Sequence, residues 1–226
     1  MTKNMIKKYR VPLTFAAFVA AFLAVARLRP LVMHDVKTSV ITLCISYCLL
    51  GCIGIYLFRD GLRDGLREWK SHPVKSLLWL VGGYIADTML VTLAYLPQIA
   101  LFPAYEGMND SSVAAAAQFI PAPLFIIALG ILGPVTEEVV FRFILVDRLK
   151  EKVPVALCVI VSSALFMLGH VHAFTPQELL INLPKFVSGI VYCVIMLRSK
   201  NPTHTILLHV FGNTTALMML LMNGAA

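Results

Sequence analysis

Runs of about 20 consecutive apolar residues recur along this chain from end to end. They lack the every-second-residue alternation of barrel strands. Inside a bilayer only helices and closed barrels satisfy their own backbone polar groups, so these runs specify helices. The 226 residues are 59% hydrophobic and 14% charged, with mean hydropathy +0.82, far more apolar than a soluble domain of this size. The fold class is an all-α polytopic membrane protein. Seven spans are expected, at about 11–28, 38–58, 76–98, 119–147, 153–172, 178–198 and 203–223. The first three read as an N-terminal scaffold within 1–118, and the last four as a functional core within 119–226.

Basic residues orient such a chain, because cytoplasmic segments are enriched in Lys and Arg. With the N-terminus inside, the cytoplasmic segments hold Lys3, Lys7, Lys8 and Arg10; Arg59, Arg63, Arg67, Lys70 and Lys75; Arg148, Lys150 and Lys152; and Arg198 and Lys200. The outer segments hold only Arg27, Arg29 and Lys37. The net charge of +7 therefore faces anionic lipid rather than nucleic acid. The expected location is the cell membrane of a bacterium, multi-pass, with a cytoplasmic N-terminus and an external C-terminus. The first run, Val11 to Ala26, reads as an anchor rather than a cleaved signal. The segment 59–75 is either an amphipathic interfacial helix, with Leu62, Leu66 and Trp69 at helical spacing, or a solvated connector. The segment 103–118 is an external loop. Cys44, Cys48, Cys52, Cys158 and Cys193 lie in apolar runs and read as packing residues.

The fourth run, Phe119-IPAPLFIIALGILGPVTEEVVFRFILV-Asp147, carries Glu137, Glu138 and Arg142. A carboxylate in a membrane helix costs roughly 2.5–3.5 kcal/mol on insertion scales, so ionisable groups there mark candidate functional sites. The run is too long for one straight crossing, and Gly133-Pro134 predicts a kink or break before the glutamates. Glu138 and Arg142 are four apart and can pair, while Glu137 points about 100° away toward other partners. His170, and His209 with Asn213 four residues later, add polar stripes to the fifth and seventh spans. His172 and His204 read as interfacial. Lys185 either snorkels or pairs with Glu178, two turns earlier.

Each residue has a structural reading by itself: a buried ion pair, an interior histidine, a helix-bridging amide. On consecutive spans with few other polar groups, the functional reading is stronger. A glutamate in a poorly solvated site can serve as general base on water. One histidine can position that water, and a second histidine with an amide can donate to an oxyanion. Such a set suffices for peptide hydrolysis without a serine or cysteine nucleophile. A single divalent metal such as zinc, held by Glu137, His170 and His209, is the alternative, and the spacing decides neither way.

The run Gly133-Pro134-Val-Thr-Glu137-Glu138-Val-Val-Phe141-Arg142 resembles the EExxxR motif of the CAAX-processing and bacteriocin-processing (CPBP, or Abi) family of intramembrane proteases. Phe166-Met-Leu-Gly-His170 is similar to its FxxxH motif, and His209-Val-Phe-Gly-Asn213 to its HxxxN motif. The resemblance implies Glu137 as general base, His170 as a water ligand, Glu138 and Arg142 as support, and His209 with Asn213 on the oxyanion side. It also implies a membrane-embedded or membrane-associated peptide or protein substrate. Two positions depart from the family pattern: Gly133 where alanine is common, and Phe143 where glycine is common, which puts a large side chain near the site.

At ~1.5 Å per residue, Glu137 lies ~15 Å, His209 ~9 Å and His170 ~25 Å from the cytoplasmic helix ends, so one shared site requires a tilted or shortened fifth span or a break at Gly169. The leading expectation is an endopeptidase whose site opens toward the cytoplasmic half of the bilayer. The alternatives are a non-catalytic scaffold or bacteriocin-immunity protein, and a proton-coupled transporter, which the absence of an internal repeat disfavours.

Overall fold

The computed structural model describes residues 14–28 and 35–223. The basic residues expected at the cytoplasmic N-terminus, the start of the first span and Arg29 lie outside the described residues. Eight helices follow one another: α1 Thr14–Ala26, α2 Val36–Ser71, α3 Pro73–Leu101, α4 Met108–Ala117, α5 Ala122–Arg148, α6 Val155–His170, α7 Pro176–Ser199 and α8 Pro202–Met222. No strand occurs among the described residues. The all-α membrane class therefore holds. Five of the seven expected spans (α2, α3, α5, α7 and α8) are long and apolar enough to cross a bilayer. The first and fifth form the shorter apolar helices α1 and α6.

α5 is the central helix. Its apolar window is 72% buried, against 11% for α3, which turns Leu78, Met89 and Leu93 outward. Phe141, Val139 and Phe143 of α5 pack with Phe18 and Phe22 of α1 and Phe58 of α2. α6 and α7 approach closely at Gly189, where an added Cβ would stand 2.8 Å from the Cβ of Ser163. Small residues allow such approaches between membrane helices, where packing rather than water exclusion drives association.

The break expected at Gly133-Pro134 takes the form of a register change. α5 is π-helical over Ile126–Leu132, α-helical over Gly133–Glu137 and π-helical again over Glu138–Arg148. Proline has no N–H to give, and it sits in the first turn of the short α segment, where the ladder needs none. π-Helical stretches are rare and concentrate at functional sites.

The charged segment 59–71 is helical, as one of the two readings expects, but it continues α2 rather than forming a helix of its own. α2 runs through it unbroken for 36 residues, roughly 54 Å, well beyond a hydrocarbon core of about 30 Å. The protruding turns pack on the start of α8. Asn201 Nδ2 donates to the Gly65 carbonyl at 3.1 Å, and Trp69 Nε1 donates to Thr203 Oγ1 at 3.0 Å. A Cβ at Gly65 would meet Asn201 Oδ1 and Thr203 Cγ2, both at 2.5 Å. Gly65→Ala is expected to destabilise the chain by about 1–3 kcal/mol through overpacking. Thermal unfolding in detergent checks this, and an unshifted midpoint would refute the crossing.

The segment 103–118 is also structured. α4 forms within it, and the Glu178 side chain, fully buried at the start of α7, ties it down. Glu178 Oε2 accepts from Tyr105 Oη at 2.8 Å and from the Met108 N–H at 3.3 Å. Tyr105 lies outside the spans, and this bond pushes its phenol above the ordinary value. Glu178 thus does not pair with Lys185.

Candidate active site

The π register of α5 stacks Glu138 and Arg142 on one side of the helix. Arg142 NH1 lies 3.2 Å from Glu138 Oε1, with both side chains 2% exposed. The guanidinium is clamped between aromatic faces, 4.4 Å from the Phe166 ring centre on α6 and 5.2 Å from that of Tyr192 on α7. Glu138 Oε1 also faces His209 Nδ1 of α8 at 3.0 Å. The other ring nitrogen, Nε2, lies 3.5 Å from Glu137 Oε2. Arg142, Glu138, His209 and Glu137 thus form one buried chain across two helices. One proton makes these four groups neutral together, carried by either the imidazole or the Glu137 carboxyl. Burial without that balance is costly.

Glu137 turns away from the ion pair, as the 100° offset predicts. It lines a cavity of about 420 Å³ together with His170, Asn213, Tyr47, Lys185 and Asp110. Tyr47 hydrogen-bonds the Glu137 carboxylate from α2. His170 is the last residue of α6, with Nδ1 at 2.9 Å from the Phe166 carbonyl oxygen, an acceptor that holds the proton on Nδ1. Its Nε2 is then an acceptor at the cavity. His170 ends the 16-residue α6 and lines the same cavity as Glu137, so the two do share one site.

All six expected site residues therefore gather around α5, in two layers. Glu137, His170 and Asn213 face the cavity, while Glu138, Arg142 and His209 stand behind Glu137. The three candidate metal ligands do not converge. Both His209 nitrogens face carboxylates, and no group of three His, Cys, Asp or Glu side chains suited to a metal occurs among the described residues. These residues do not fit a metal centre as they stand.

Several expectations need correction. The cavity does not open toward the basic helix ends. Its walls run from Glu137 toward Leu43 near the start of α2, Asn109 and Asp110 of α4, and Leu220 near the end of α8. That is the face opposite the basic segments. Phe143 does not shape the cavity; it packs on Phe58 at 4.2 Å and Phe15 at 5.5 Å. His204 is buried rather than interfacial, 5.5 Å from the Trp69 ring.

Sequence reasoning missed Asp87 on α3, which accepts from Tyr192 Oη at 3.5 Å beside Arg142. The signal was available, since Asp87 is a lone carboxylate in an expected span. Tyr47 and Tyr192 carried no such signal, because tyrosines are common in spans.

A family model for the type II CAAX prenyl endopeptidase Rce1-like proteins matches residues 119–215, a stretch that holds all three motifs. YdiL of Bacillus subtilis (strain 168), itself a proposed membrane peptidase, is 27% identical over 177 residues, covering 77% of this chain and 69% of YdiL. No solved structure matches the chain. Residues 119–215 are thus similar to the Rce1-like proteins, and the apolar helices make the chain a multi-pass membrane protein.

Proposed function

We propose that this Rce1-like chain is an intramembrane endopeptidase that hydrolyses peptide bonds of membrane-associated polypeptides with a water activated by Glu137. The observation that carries the reading is the division of labour between the two glutamates. Glu138 is neutralised by Arg142 and His209, whereas Glu137 alone faces the cavity.

Water held between Glu137 and His170 Nε2 gives its proton to the Glu137 carboxylate as its oxygen attacks the scissile carbonyl. Asn213, at the cavity wall, donates toward the oxyanion that forms, while His209 Nε2 faces Glu137 Oε2 from behind. Glu137 then returns the proton to the leaving amine nitrogen as the C–N bond breaks, so atoms and charge balance over the cycle. Glu138 holds His209 through Nδ1, which sets the ring orientation. No step runs through a metal. Residues 119–226 supply the reacting groups, and the first three helices act as scaffold while adding Tyr47 and Tyr95 to the cavity wall. The Lys and Arg asymmetry supports a cytoplasmic N-terminus.

The test compares protein termini in cells making the wild-type chain with those in cells making Glu137→Gln at matched membrane abundance. New termini in the wild type alone establish proteolysis and name the substrate. Identical profiles with a shared cellular phenotype would replace this reading with a non-catalytic scaffold.

A further inference from the structure

The ends of the bundle differ in charge, and the cavity belongs to one of them. At one end stand Arg59, Arg63, Arg67, Lys70 and Lys75 around the α2–α3 junction, Arg148, Lys150 and Lys152 at and after the end of α5, and Arg198 and Lys200 at the end of α7. At the other end stand α4, the turn between α6 and α7, and the start of α2, whose nearby basic side chain is Lys37. The Glu137 cavity runs toward this second end. Asp110 marks its mouth, with a side chain 63% exposed, and Lys185 Nζ stands 3.8 Å from Asp110 Oδ1 at the rim. A second cavity of about 560 Å³ shares Leu43, Tyr47, Asn109, Val113 and Leu129 with the first and extends it to Glu106 and His172. Together they form one groove from Glu137 to the basic-poor face, with apolar walls and a polar rim.

We propose that this groove admits substrate from the extracytoplasmic side. Its substrates are extended segments of exported or membrane-anchored polypeptides lying at the outer leaflet. Cytoplasmic chains are excluded. The proposal rests on the peptidase reading for the word substrate, but the side of access stands apart from it. Lys and Arg enrichment holds the basic end in the cytoplasm. Between Glu137 and that end lie the buried Glu138–Arg142 pair and the aromatic packing of Phe58 and Phe143, and the space enclosed among these four is about 10 Å³. The groove accepts a main chain because Asn109, Asp110 and Lys185 can hydrogen-bond it at the rim. The leucine and valine walls suit apolar side chains beside the scissile bond.

Two exposed positions test this with intact cells and a membrane-impermeant maleimide. Ser111→Cys lies on α4 beside the groove, and Lys200→Cys lies at the basic end. The unmodified chain supplies the background of the native cysteines. Ser111→Cys is expected to label in intact cells, and Lys200→Cys only after lysis. The reverse pattern, or labelling of both in intact cells, overturns the proposal. Termini that depend on Glu137 are expected in extracytoplasmic or outer-leaflet segments, and cleavages confined to cytoplasmic segments overturn it as well. Loss of all cleavage would fall on the peptidase reading, while the labelling would still decide the side of access.

Discussion

Glu137→Gln is expected to lower the cleavage rate by about 10²–10⁴-fold, the range that one positioned general base contributes, with the fold intact. Glutamine keeps the size of the side chain and an oxygen to accept from Tyr47, and removes the capacity to take a proton. Glu137 is 7% exposed and is not held by Arg142, so its replacement strips no partner from the ion pair. Initial rates on the substrate found by terminus profiling, set beside thermal unfolding of the same preparations, check both halves. Wild-type rates in a folded Glu137→Gln protein would remove Glu137 from the chemistry. Asn213→Ala is expected to cost about 10²–10³-fold, as loss of one oxyanion donor does, with little change in substrate affinity.

Most of the candidate site was legible because a membrane span tolerates few polar residues, so those that occur stand out. Glu137, Glu138 and Arg142 in one run, with His170, His209 and Asn213 in later ones, could be read as a cluster before any geometry was known. Less legible features depended on distant contacts or backbone register. Asp87 meets Tyr192 across 105 residues of sequence. The π-helical stretches of α5 leave no mark on residue pattern, because a wider turn changes hydrogen-bond partners and not composition. The side of the cavity was misjudged for a related reason. Spacing places Glu137 at a depth but does not say which neighbours close the path on either side. The Phe58–Phe143 packing and the Glu138–Arg142 pair close the basic side.

Arg142→Met is expected to destabilise the protein by about 3–5 kcal/mol, the cost of leaving a buried charge without its partner. Glu138 meets both Arg142 and His209 through Oε1, so loss of the guanidinium strips the carboxylate of its nearest full charge. Methionine keeps contact with Phe166 and Tyr192, which isolates the electrostatic loss from a packing loss. Removing the second charge as well, in Glu138→Leu with Arg142→Met, is expected to return most of that stability, because apolar pairs often replace buried ion pairs at no cost. Activity is not expected to return. His209 then lacks the acceptor that orients its ring, and Nε2 is no longer aimed at Glu137. Unfolding midpoints and cleavage rates of the two variants separate these effects. A double variant as unstable as Arg142→Met alone would show that the arginine acts through its aromatic clamp rather than through Glu138. A double variant with restored activity would show that Glu138 orients nothing the reaction needs.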